Sequence, residues 1–206
     1  MTANHETLRG LVSRLAPNLS GHGVDLSVTT EADAEELAAV ASATPDDAFR
    51  WTFVSRDVES VRSTLDFYAE TSRLIYVVRA NGRIVGQTGF YDLEFWTDSD
   101  LPTVVEVGHT WYSPEVRGTT INPACKLLLF THAFETWGVA RIGMRTDARN
   151  AASRAAMLKL GMTFEGIRRR HMVASDATFR DSAYFSAVPE EWPHIKQALL
   201  VRLSAS

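Results

Sequence analysis

The sequence predicts a mixed α/β fold in a single domain, and three observations carry that expectation. Apolar residues switch between helical and two-residue spacing along the chain, so helices and strands interleave. A hairpin signal is explicit: Leu74 to Val78 reads as a strand, Asn81-Gly82 as a tight turn and Ile84 to Tyr91 as the returning strand. No repeat and no linker divides the 206 residues, a length that suits one domain. The domain is expected over 24–206, behind an N-terminal extension over 1–23.

The elements follow in order. In the extension, Glu6 to Leu15 suits one short helix, and Gly21-His22-Gly23 punctuates its end. Val24 to Thr29 reads as a first strand. Thr30-Glu31-Ala32-Asp33 reads as a capping box opening a helix whose apolar face holds Leu37, Val40 and Ala41, and which Pro45 ends. A second helix runs from Asp57 to Thr71, with Val61, Leu65 and Tyr68 at helical spacing. After the hairpin, Asp98 to Pro102 is a polar loop and Thr103 to Tyr112 a strand rich in valine and aromatics. Ser113 to Thr120 is a loop. Asn122-Pro123 reads as the cap and first position of a strong helix that Gly138 stops. Ile142, Met144 and Thr146 mark a short strand, and Asn150 caps a helix ending at Gly161. Phe164 to Val173 and Phe179 to Val188 read as closing strands around an Asp176-Ala177 turn. A final helix, Pro189 to Leu203, gathers Trp192, Ile195 and Leu199 on one face.

Composition removes several classes of function. A net charge of -4 and the lack of a basic stripe argue against coating nucleic acid or anionic lipid. The chain has one cysteine, Cys125, so it has neither an intramolecular disulfide nor a cysteine-based zinc site, and no metal is expected. Cys125 sits among Ala124, Leu127 and Leu128 and reads as a packed thiol. Met1 to Asn18 lacks the apolar core of a secretory signal, and no run of about 18 apolar residues exists, so no membrane association is expected. These features fit a cytoplasmic protein.

Two segments carry chemistry. The first is Val116-Arg117-Gly118-Thr119-Thr120-Ile121, between a strand and the Asn122 helix. Helix N-termini present unpaired N–H groups and a positive dipole end, which favours phosphates. Gly118 lets the backbone approach an anion, and Arg117, Thr119 and Thr120 can add donors. The loop lacks a Walker lysine and a dinucleotide-type glycine set. The second runs from Thr146 to Met162, where a strand end meets a capped helix. Asn150 and Ser153 serve there either as helix cap and solvated residue or as polar contacts to a ligand.

Taken together, these segments resemble the GNAT acetyltransferase superfamily. Glu106-Val107-Gly108-His109-Thr110-Trp111 followed by Arg117-Gly118-Thr119 looks like the family's fourth strand and pyrophosphate loop. Asn150-x-x-Ser153, Lys159-Leu160-Gly161 and Phe164-Glu165-Gly166 look like its downstream motif, as in the ribosomal-protein alanine N-acetyltransferase (RimJ/RimL-like) branch. Resemblance covers Val24 to Val188. It departs from the family loop at Glu115 and Thr120, and the branch's glutamate on the sixth strand gives way to His171-Met172.

The resemblance implies a mostly antiparallel central sheet flanked by helices, with one parallel strand pair splayed to admit acetyl-CoA as cosubstrate. It implies pyrophosphate contact along Arg117, Gly118, Thr119, Thr120, Ile121 and Asn122. A backbone N–H near Trp111 or Tyr112 would polarise the thioester carbonyl, and Asn150 would meet the pantetheine arm. An amine attacks directly after losing a proton to Glu106 or His109. Strict alternation places those two on opposite faces unless the strand bulges. Ser153, with Tyr112 as runner-up, would protonate the leaving thiolate. Trp51, Phe53, Phe90 and Trp96 are candidates for an acceptor pocket or for the core. Arg168-Arg169-Arg170-His171 is a solvated face or a contact for an acidic group. The acceptor implied is a protein N-terminus or small amine, including a drug or toxin, and a homodimer is compatible with the family. A non-catalytic acyl-CoA-binding regulatory domain is the alternative.

Overall fold

The computed structural model describes residues 15–71 and 73–205. Most of the Glu6 to Leu15 segment therefore lies outside the described residues. The chain opens with β1 (Leu19–Gly21) and β2 (Val24–Val28), followed by α1 (Ala34–Ala43), α2 (Val58–Glu70), β3 (Leu74–Ala80), β4 (Arg83–Glu94) and β5 (Val104–Tyr112). Then come α3 (Ile121–Thr131), β6 (Arg141–Asp147), α4 (Ala151–Lys159), β7 (Thr163–Val173), β8 (Phe179–Ala187) and α5 (Trp192–Ser204). The strands form one sheet in the order β1-β2-β3-β4-β5-β6-β8-β7. Every neighbouring pair is antiparallel except β5 and β6.

Local chemistry accounts for the boundaries. Thr30 and Asp33 form the reciprocal capping box ahead of α1, by way of a short 3-10 turn. Asp57 caps α2 by accepting from the Ser60 N–H at 2.9 Å. Asn81 and Gly82, at φ 51° and 75°, make the β3–β4 turn, which demands left-handed backbone at both positions. α3 differs from its sequence expectation. Its N-cap is Thr120 and Asn122 lies inside the first turn, because the Asn122 side chain is taken by the Tyr112 hydroxyl at 3.2 Å. The helix then widens into a π-helical stretch, His132–Trp137, before Gly138 ends it at φ 67°. The sheet begins at Leu19, inside the segment expected as extension, and the Leu15 side chain packs into the core.

Helices cover both faces. α1 and α2 pack Leu37, Ala41 and Val61 on Val77, Ile84 and Trp111. α3 and α5 pack Leu129, Phe130, Ile195 and Leu199 on Val105, Val107, Ile142 and Phe185, and α4 joins this side through Met157. Full burial of each such side chain stabilises the fold by about 1.5–3 kcal/mol. Phe90 belongs to this second core, its ring 4.6 Å from that of Trp137, and lines no cavity. Of the two roles weighed for it, the structure assigns packing.

Candidate functional site

The site is a fork in the sheet. β5 and β6 pair only at Val104–Arg141, Val105–Ile142 and Glu106–Gly143. Beyond those residues both strands continue but diverge. The gap opens into a cleft of about 640 Å³ whose walls include Val107 to Tyr112, Met144 to Thr146 and the first turns of α3 and α4.

A bulge shapes the β5 side. Gln87 pairs with Trp111 and Gly89 with Gly108, so β5 carries one residue more than β4 between these points. His109 takes the strained left-handed conformation at φ 49°. The extra residue reverses the alternation. Val105 and Val107 face the α3 side, and so do Thr110 and Tyr112. Glu106 and His109 therefore share the opposite face, beside Tyr91: Tyr91 is the cross-strand partner of Glu106, and its ring lies 5.2 Å from that of His109.

These groups differ in charge state for physical reasons. Burial raises the Glu106 pKa, against the opposing pull of Arg145, whose Nη1 donates to Oε1 at 3.0 Å. Glu106 Oε2 is buried without a partner. Glu106 itself lines no cavity; Tyr91, its cross-strand partner, lines the cleft. Burial, with Arg73 and Arg145 nearby, holds His109 neutral with a pKa of about 4. Its Nε2 meets the Arg73 guanidinium, so Arg73 donates and the imidazole accepts.

The opposite walls suit an extended anionic ligand. Arg117, Gly118 and Asn122 line the cleft beside the start of α3. Gly118 sits at φ 76° with open space where a Cβ would stand. Thr119, Thr120 and Ile121 lie outside the lining. Thr119 turns its hydroxyl onto Val116 O, and Thr120 is the cap residue. Glu115 points to solvent and accepts from Ser113 Oγ at 2.7 Å, so its charge stays off the cleft. Asn150 and Ser153 both line the cleft, Asn150 Oδ1 capping α4 by accepting from Ser153 N at 3.0 Å.

Several lining residues, Arg73, Lys126, Arg145 and Arg180 among them, escaped the sequence reading. Lys126, on α3, is 1% exposed, and its Nζ donates to Thr88 and Thr110, each at 2.9 Å. Burial lowers its pKa to about 8. The available signal was a lysine inside the apolar run Ala124 to Phe130. Its neighbour Cys125 is buried and inert, the thiol pushed up to about 11 by that burial. The Tyr112 hydroxyl is likewise buried, and burial raises its pKa well above the usual tyrosine range.

A second cavity, about 700 Å³, opens between α1, α2 and the loop before α2, on the other side of β5. The two cavities share Phe53, Arg73, His109, Trp111 and Met172. Trp51 lines only the cleft, and Trp96 lies exposed on the β4–β5 loop, bonded to Glu94 and outside both cavities. Arg168, Arg169 and Arg170 are exposed on β7 and line neither, while His171 turns to Ser182 and Tyr184. Among the described residues no cluster of metal-ligating side chains occurs, and no helix is long and apolar enough to cross a membrane.

Comparison with known proteins agrees with this geometry. No curated protein sequence matches the chain. A GCN5-related N-acetyltransferase from Brucella melitensis superposes with TM-score 0.81 at 26% identity, over 91% of this chain and 86% of that one. A probable acetyltransferase of the GNAT family from Chromobacterium violaceum gives 0.77 at 28% identity, over 86% and 90%. Mycobacterium smegmatis RimJ in complex with CoA-disulfide shares the fold at TM-score 0.73 and 23% identity, over 90% and 93%. The family model for the acetyltransferase (GNAT) domain matches residues 24–163. The fork, the bulge and that match place the chain in the GNAT acetyltransferase family.

Proposed function

We propose that this chain is a cytoplasmic N-acetyltransferase that moves an acetyl group from acetyl-CoA to a primary amine by direct attack. The observation that carries the reading is the fork: paired strands part after Glu106 and Gly143 around a cleft walled by Arg117, Gly118, Asn122, Asn150 and Ser153. Open space at Gly118, an arginine and the start of α3 suit a pyrophosphate. Asn150 and Ser153 suit the pantetheine end. A protein of the same fold, Mycobacterium smegmatis RimJ, is known in complex with CoA-disulfide, which supports a CoA-type donor.

The residues present suggest how the steps divide. The acceptor nitrogen attacks the thioester carbonyl, the C–S bond breaks and the sulfur leaves with the bonding pair. A backbone N–H near Trp111, on the bulged strand, suits the oxygen that becomes negative. The amine must first shed a proton. Glu106, with its raised pKa and unpartnered Oε2, suits that base role through water, whereas the His109 Nε2 lone pair is already occupied by Arg73. Ser153, whose hydroxyl makes no hydrogen bond among the described residues, suits protonation of the thiolate better than Tyr112, whose hydroxyl donates to Asn122. Calorimetry tests the donor half. Acetyl-CoA should bind, and Arg117→Ala should weaken it by about tenfold, the loss of one charged contact. Absence of any binding would refute the reading.

A further inference from the structure

The cavity on the far side of β5 has a chemical character that narrows the acceptor. We propose that the acceptor is a compact apolar amine carrying its own carboxylate, an amino acid or close analogue, and that Arg73 binds that carboxylate. This inference rests on the acetyltransferase reading above.

The cavity walls are mostly apolar: Leu37, Val61, Leu65, Phe67, Tyr68 and Trp111. Its charged lining residues are Arg56, Asp57 and Arg73. Two of these are occupied. Asp57 spends its carboxylate on the Ser60 N–H and hydroxyl at the start of α2, and Arg56 pairs with Asp46. Arg73 is different. Its Nε donates to Thr71 Oγ1 at 3.1 Å, Nη1 meets neutral His109, and its guanidinium lies 4.9 Å from the Phe67 ring and 5.7 Å from that of Tyr91. No carboxylate pairs with it among the described residues, and Nη2 has no partner there.

Its position gives that free charge meaning. Arg73 is one of five residues common to both cavities, beside the β5 bulge where the proposed donor and acceptor would meet. A polycation entering there meets the fixed positive charge of Arg73, and the one acidic lining residue, Asp57, already holds the start of α2. A simple apolar amine fits the walls but leaves the guanidinium without an anion. A zwitterion supplies the carboxylate Arg73 lacks, and the planar fork of the guanidinium fixes its orientation. The α-amine, two bonds from that carboxylate carbon, is then held close to His109. The burial that, with Arg73 and Arg145 nearby, keeps His109 neutral also favours the neutral form of the amine.

Matched probes test the inference. L-phenylalanine, L-leucine and L-methionine, their amides, 2-phenylethylamine and spermidine are offered with acetyl-CoA, and kcat/KM is measured for each. At least one free acid should exceed its amide by about tenfold or more, and spermidine should be the poorest. Arg73→Met should lower kcat/KM for the acid by about 100-fold, chiefly through KM, and should lower that of 2-phenylethylamine by at least about tenfold less. Amides or spermidine matching the acids, or Arg73→Met lowering every acceptor alike, would overturn it. Acetyl-CoA binding by calorimetry separates the two levels. Binding without turnover of any acid refutes the acceptor assignment and leaves the donor site standing. No binding removes the donor reading, and the acceptor assignment with it.

Discussion

The Nζ of Lys126 lies 2.9 Å from Thr110 Oγ1, joining α3 to the bulged segment of β5 inside the core. The ammonium also reaches Thr88, and the two threonine hydroxyls lie 2.8 Å apart. No carboxylate neutralises it among the described residues. A buried charge without a counter-ion is costly to the fold. Lys126→Met should therefore stabilise the protein by about 1–3 kcal/mol at pH 7, several degrees in Tm, with the threonines still bonded to each other. The folded-state pKa of about 8 lies below the ordinary 10.5, so the penalty is full below pH 8. Wild type should gain on the variant as pH rises from 8 towards 10.5. Thermal unfolding across that range checks both statements; a lower Tm for Lys126→Met would mean that the lysine's hydrogen bonds hold the fold.

His109 gives the opposite pH window. Its folded pKa of about 4 lies below the ordinary 6.5, so the unfolded chain takes up the proton first. Stability from this group is complete above pH 6.5 and is lost as pH falls towards 4. His109→Gln should flatten part of the acid-side fall in Tm while leaving stability at pH 7.5 to 8 little affected by titration. An unchanged acid slope would show that carboxylates alone set it.

Glu106 and Ser153 divide the proposed chemistry. Glu106→Gln should lower kcat by about 100-fold with little change in acetyl-CoA affinity. kcat/KM in the wild type should rise with pH and level off by about pH 8.5, and the Gln variant should lose that dependence. Ser153→Ala should lower kcat by about 10- to 100-fold, again without weakening acetyl-CoA binding. Equal losses in affinity and turnover for either variant would assign it to binding rather than proton transfer.

Two backbone positions test the scaffold. A Cβ at Gly89 would lie 2.2 Å from Leu74 O and 2.8 Å from the Ile75 Cα. These are backbone atoms that cannot swing aside, so Gly89→Ala should cost about 3 kcal/mol or more. Asn150→Ala removes the α4 cap and should cost about 1 kcal/mol. Urea unfolding measures both.

The frame of this fold is written in local signals. Asn81-Gly82, the Thr30–Asp33 box, Asp57, Asn150 and Gly138 each act within a few residues, so their effects were legible without the tertiary structure. What stayed hidden depends on partners far along the chain. Nothing in Gly108-His109-Thr110 announces a bulge, which arises from register against Gln87 to Gly89, so the shared face of Glu106 and His109 was not decided. Asn122 looks like a cap in isolation, but Tyr112 claims its side chain. Phe90 reads equally as pocket or core until Trp137 is seen against it. Lys126 and Arg73 matter through what is absent beside them among the described residues, a carboxylate, and a linear sequence cannot display that.

The most direct test of the central claim is release of CoA thiol from acetyl-CoA by the purified chain. It is measured with peptides of varied first residue, amino acids, polyamines and aminoglycosides, with the acetylated product identified by mass. Acceptor-dependent release with stoichiometric N-acetyl product is the result expected, and its loss in Glu106→Gln would tie it to the fork. Acetyl-CoA that binds but is turned over with none of these amines would contradict the transferase claim.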